Sequence, residues 1–69
     1  MNRDIIRGHW NEIKGELKQQ WGKLTDDEIT QMDGTYDGLK GKLQKAYGYQ
    51  EDEADREIES FVDRHNWND

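Results

Sequence analysis

Shifted by 26 positions, the chain overlays itself: Gly8 falls on Gly34, Trp10 on Tyr36, Ile13-Lys14-Gly15 on Leu39-Lys40-Gly41, Leu17 on Leu43, and Trp21-Gly22 on Tyr47-Gly48. The shared pattern, G-x-[WY]-x-x-[IL]-K-G-x-L-x-x-x-[WY]-G, limits the possible folds more than any other feature, because a repeated unit implies one supersecondary element used twice. Within each copy the apolar residues step by three or four: Ile6, Trp10, Ile13, Leu17, Trp21 and Leu24, then Tyr36, Leu39, Leu43, Ala46 and Tyr47. That spacing is helical. Gly22 and Gly48 stand where each long helix is expected to end in the left-handed conformation.

A shorter helix follows in each copy. Thr25 with Glu28 three residues on forms a capping box, and Leu24 and Ile29 are placed as its hydrophobic staple. The counterpart at Gln50 and Glu53 is weaker, because Gln is a poor N-cap. Along the last helix Ala54, Ile58, Phe61 and Val62 make one apolar stripe, with His65 at its end.

The expected architecture is therefore all-α, a four-helix array of two packed helical hairpins related by the repeat. Sixty-nine residues allow one domain, 1–69, with the first copy over about 4–33 and the second over about 34–67. A glycine inside a helix costs about 1 kcal/mol relative to alanine, so Gly15 and Gly41 need a reason. The preserved spacing from their apolar neighbours predicts that the long helices touch there, where a missing Cβ lets backbones approach. Trp10, Trp21, Tyr36 and Tyr47, at matched repeat positions, are the expected aromatic core.

Only 30% of the residues are apolar against 38% charged, and the mean hydropathy is -1.38. Such values lie towards the disordered end of the globular range; three Trp, three Tyr and one Phe supply the area that opposes it. There is no cysteine, which removes disulfides and thiolate metal sites. No apolar run is long enough to span a membrane, and the absence of a signal peptide gives the cytoplasm as the expected compartment.

Charge is unevenly placed. Residues 1–49 carry eight acidic and eight basic side chains, whereas residues 50–69 carry eight acidic ones against Arg56 and Arg64, so the whole net charge of -6 lies in the last twenty residues. The carboxylates of Glu51, Asp52, Asp55, Glu59 and Asp63 are the expected partner-binding face, suited to a basic partner. The same excess argues against nucleic acid, whose phosphates need clustered Lys and Arg. The glycine-containing turns at Trp21-Gly22-Lys23 and Tyr47-Gly48-Tyr49 resemble phosphate-binding hairpin turns, but acidic residues follow each.

Other candidate chemistry falls short. Asp33, Thr35 and Asp37 with Gly38 match the start of a calcium loop, but Lys40 and Gln44 stand where it needs an aliphatic residue and a bidentate Glu. The triplets Asp26-Asp27-Glu28 and Glu51-Asp52-Glu53 sit in first helical turns, where the helix dipole favours carboxylates. His9 and His65 are distant in sequence and neither is in a ligand-spaced pair. No catalytic triad, phosphate-cradling loop or metal motif is present. The reading is of a non-enzyme without cofactor or metal.

Several of these stretches are similar to a known family. Trp10-Asn11-Glu12-Ile13-Lys14-Gly15, Gln20-Trp21-Gly22-Lys23-Leu24-Thr25-Asp26-Asp27, Leu39 with Gly41-Lys42-Leu43-Gln44, Tyr47-Gly48-Tyr49 and the acidic final helix together resemble the CsbD-like family of small bacterial stress-response proteins. The resemblance covers nearly the whole chain and departs from the family at Gln50. It implies a cytoplasmic general-stress protein of two packed helical hairpins, with no catalytic residue to carry over. The residues are compatible with a folded interaction module, or with a hydrophilic protectant acting through hydration under osmotic or desiccation stress, with weak nucleic-acid binding third.

Overall fold

The computed structural model describes residues 2–67. Among the described residues five helices follow one another: α1 (Asp4–Gly8), α2 (Trp10–Gln20), α3 (Asp26–Gln31), α4 (Tyr36–Tyr47) and α5 (Glu51–Arg64). There is no strand among the described residues. The all-α expectation holds, with five helices in place of four. The additional one arises because the first long helix is interrupted at His9, whose φ of -115° and ψ of 22° lie off the helix. Gly8, a poor helix former, precedes the break.

Helix α2 packs on α3, and α4 on α5, while α1 lies against both α2 and α4. The core is contributed by every helix: Ile6, Ile13, Leu17, Leu39, Leu43, Ile58, Phe61 and Val62 are fully buried, and Ile29 of α3 is buried beside them. Trp21 joins them, its ring centroid 4.9 Å from that of Phe61. The Trp21 indole N–H has no acceptor in good geometry. The Tyr49 hydroxyl still feels it: burial raises the Tyr49 pKa, and the indole pulls it back in part.

The caps follow the sequence closely at α3. The Thr25 hydroxyl accepts from the Glu28 amide at 3.1 Å, and the Thr25 amide donates to Glu28 Oε1 at 3.0 Å. Leu24 and Ile29 are both buried beside it. At α5 only the returning half of a box forms clearly, with the Gln50 amide donating to Glu53 Oε1 at 3.3 Å. Helix α4 ends in left-handed Gly48, at φ 70°. Gly22 is different: α2 stops at Gln20, Trp21 turns the chain at φ -129° and ψ 86°, and Gly22 has no positive φ.

The expectation for Gly15 and Gly41 is overturned. Both are exposed, and a Cβ built at either would meet nothing within 4 Å. Geometry gives the reason. Residues two apart on a helix point about 200° from each other, so burying Ile13 and Leu17 turns Gly15 outward, and burying Leu39 and Leu43 does the same to Gly41. The close approach is made by Gly34, at φ 82°, where a Cβ would lie 3.0 Å from Trp10 Cγ. The indole of Trp10 thus rests on the turn that leads into α4.

Candidate functional site

Helix α5 is fixed by its apolar stripe, Ala54, Ile58, Phe61 and Val62, all fully buried. Its charged residues are divided by helical periodicity. Glu51, Asp55, Glu59 and Asp63 recur at four-residue steps; Glu51 and Asp55, at the start of that row, reach Lys40 of α4, while Asp52, Glu59 and Asp63 are exposed. The five carboxylates expected as one partner-binding face therefore differ in availability.

Asp55 is engaged within the fold. It accepts the Tyr36 hydroxyl proton at 2.6 Å, and the Lys40 ammonium stands 3.1 Å away. These two contacts hold its carboxyl below the usual aspartate range, the tyrosine bond first. Lys40, whose side chain is only 12% exposed, also lies 3.6 Å from Glu51. The bond to Asp55 raises the lysine pKa, and burial beside a carboxylate pushes the Tyr36 hydroxyl far above its ordinary value. Asp52 is exposed and faces Arg56 at 3.4 Å, one turn on. Glu59 is exposed and lines a small cleft of about 200 Å³ with Arg3, Tyr36 and Asp55. Asp63 is exposed on the last turn of α5.

Above Tyr36 lies Arg3. Its guanidinium carbon is 4.6 Å from the ring centroid, and Nη1 is 3.2 Å from Asp37 Oδ1. A second cleft, of about 230 Å³, is lined by Arg3 and Tyr36 together with Asp4, Arg7, Thr35 and Asp37. Position 3 carried no signal in the apolar periodicity, so this contact was invisible in the sequence.

The start of the abandoned calcium loop has a structural role. Asp33 Oδ1 accepts from both the amide and the hydroxyl of Thr35, at 3.1 and 2.7 Å, and the Thr35 hydroxyl in turn accepts from the Gly38 amide to cap α4. Those bonds hold the Asp33 carboxyl below its usual range. Glu28 is lowered as well, chiefly by the Thr25 amide, with Lys42 and Lys45 adding to it.

The two histidines, apart in sequence, meet at one tryptophan. Trp67 stacks on His65 at 4.6 Å between centroids and on His9 at 6.3 Å, with Phe61 edge-on at 5.3 Å. His9 Nδ1 is 3.5 Å from Glu12, which also accepts the Trp67 indole proton. Among the described residues no three His, Asp or Glu side chains are grouped to hold a metal ion, and no helix is long and apolar enough to cross a membrane.

The arrangement defines a small helical protein with a polar cluster of Arg3, Tyr36, Lys40 and Asp55 between the start of α1, α4 and α5. The CsbD-like family profile matches residues 4–56. The chain is 49% identical over 67 residues to the UPF0337 protein YjbJ of Escherichia coli O6:H1, covering 97% of each. Against the YjbJ protein of Salmonella typhimurium the identity is 48%, covering 97% of this chain and 96% of the relative. The UPF0337 protein pc0632 of Protochlamydia amoebophila is 46% identical over 65 residues, 94% of this chain and 98% of that protein. The chain belongs to the CsbD-like family. No solved structure matches it.

Proposed function

We propose that this protein is a non-catalytic interaction module of the bacterial stress response, acting in the cytoplasm and docking a basic macromolecule on the carboxylates of α5. The observation that carries the reading is the charge division. A balanced body of 49 residues presents a terminal segment of net charge -6, whose helix is held rigidly by four buried apolar residues. Rigid, one-signed surfaces steer oppositely charged partners and gain specificity from register. Glu51, Asp52, Glu59 and Asp63 are the exposed members of that face. Asp55 supports it from below through Tyr36 and Lys40.

The test is a variant with Glu51, Glu59→Gln and Asp52, Asp63→Asn, introduced into cells lacking the natural protein. Stress survival is expected to fall to that of the empty strain while the thermal melt of the purified variant stays cooperative. Full survival with this variant overturns the reading. The low mean hydropathy of -1.38 supports a second reading, a hydrating protectant. It requires the purified protein to preserve a drying enzyme better than an inert protein does.

A further inference from the structure

We propose that Tyr36, Asp37, Asp55 and Glu59 form a binding site for a guanidinium group of the basic partner, and that Arg3 of the same chain occupies it in the free protein. The inference rests on the reading of α5 as a docking face and supplies its anchor.

Three observations converge. The Tyr36 ring carries a cation over its face, with Arg3 at 4.6 Å from the centroid. Carboxylates surround that position: Asp37 is 3.2 Å from Arg3, and Asp55 and Glu59 border the cleft beside it. Arg3 and Tyr36 line two clefts, of about 200 Å³ with Asp55 and Glu59 and of about 230 Å³ with Asp4, Arg7 and Asp37, so the platform extends beyond its present occupant. An aromatic face rimmed by carboxylates is the general recognition element for guanidinium and ammonium groups.

Arg3 is poorly protected for a residue placed at the meeting of three helices. Its side chain is 61% exposed and that of Asp37 is 81% exposed. An exposed ion pair of this kind contributes little to folding, and a guanidinium from another molecule can replace it at small cost. The Tyr36 ring and Asp55 remain in place when Arg3 leaves, because the hydroxyl is bound to Asp55 Oδ1 and the Lys40 ammonium lies 3.1 Å from that oxygen and 3.3 Å from Oδ2. Glu59 continues onto the exposed side of α5, so a segment anchored here lies along the acidic face.

The experiment titrates a penta-arginine peptide into the full chain at low ionic strength, comparing the wild type with R3A and R56A. Both substitutions remove one positive charge, but only R3A vacates the ring. Removing a competing occupant raises apparent affinity by the inverse of the free fraction, so R3A is expected to bind roughly three- to tenfold tighter than R56A. The Tyr36 and Glu59 resonances are expected to shift on titration. An equal gain in R3A and R56A reports charge alone and overturns the site, leaving the docking face standing. No binding by any of the three overturns both. Should R3A not fold, E59Q against D52N in the otherwise natural chain decides. The site requires E59Q to weaken peptide binding the more, and equal losses overturn it.

Discussion

The indole Nε1 of Trp67 donates to Glu12 Oε2 at 2.9 Å, joining the start of α2 to the chain just beyond α5 across 55 residues of sequence. Asn66, at φ 58°, turns the backbone after α5, and the Trp67 amide bonds back to the Val62 carbonyl at 3.3 Å. The indole is delivered between His9 and His65 and is 8% exposed. Most of its contribution is packing, since the carboxylate it binds is largely exposed. W67A is expected to destabilise the protein by about 3 kcal/mol. W67F keeps a ring and loses the hydrogen bond, and is expected to cost about 1–2 kcal/mol. Urea unfolding of the two variants checks the order. Equal costs would place the stability in the hydrogen bond.

Two of the glycine positions preserved by the repeat give opposite expectations, Gly34 on one side and the matched pair Gly15 and Gly41 on the other. Gly34→Ala introduces a methyl 3.0 Å from Trp10 Cγ at a φ of 82° and is expected to destabilise by about 1–3 kcal/mol. Gly15→Ala and Gly41→Ala place a methyl in open space inside α2 and α4. Each is expected to stabilise by about 0.5–1 kcal/mol through helix propensity. Thermal melts of the three variants test this, and a lower melting temperature for Gly15→Ala or Gly41→Ala would contradict the outward placement.

The helices and their caps were largely legible in the sequence. Apolar spacing located α2, α4 and α5, and Thr25 with Glu28 foretold the capping box at α3. What escaped was set by tertiary geometry. A glycine's spacing from Ile13 fixes its angle around the helix, and a two-residue step points it away from the core, which the repeat pattern alone conceals. Trp67 lies outside the stripe of α5 and reaches the core only because Asn66 adopts a left-handed turn, which sequence spacing does not announce. The α5 carboxylates were recognisable as a group, but which of them is committed to the fold depended on Tyr36 and Lys40 lying across from Asp55. Arg3 left no pattern at all.

Thr25→Ala removes the acceptor for the Glu28 amide and the anchor of the α3 box. A cost of about 1 kcal/mol is expected, as for N-caps generally. Thr35→Ala is expected to cost about as much at α4, because its hydroxyl serves both Gly38 and Asp33. Chemical unfolding measures both. Gln50→Ala supplies the contrast: with its side chain making no cap bond, the change is expected to be small.

The Tyr36–Asp55–Lys40 cluster predicts how stability depends on pH. Asp55 is lowered in the folded state from an ordinary value of 3.8. Its contribution is therefore complete above that value and lost as pH falls through the lower folded one. Lys40 is raised from 10.5 and Tyr36 from 10.0. Each contributes fully below its ordinary value, and that contribution is lost as pH rises through the folded one. Stability from this cluster is thus flat between about pH 4 and pH 10, and declines on both sides. Asp55→Asn removes the titrating carboxylate that the acid limb depends on and the charge that raises Lys40. The variant is expected to be less stable at neutral pH and to lose less of what remains on acidification. Melting temperatures of wild type and variant from pH 2 to 11 provide the measurement. Parallel acid limbs in the two proteins would show that other carboxylates, Asp33 and Glu28 foremost, carry the acid sensitivity.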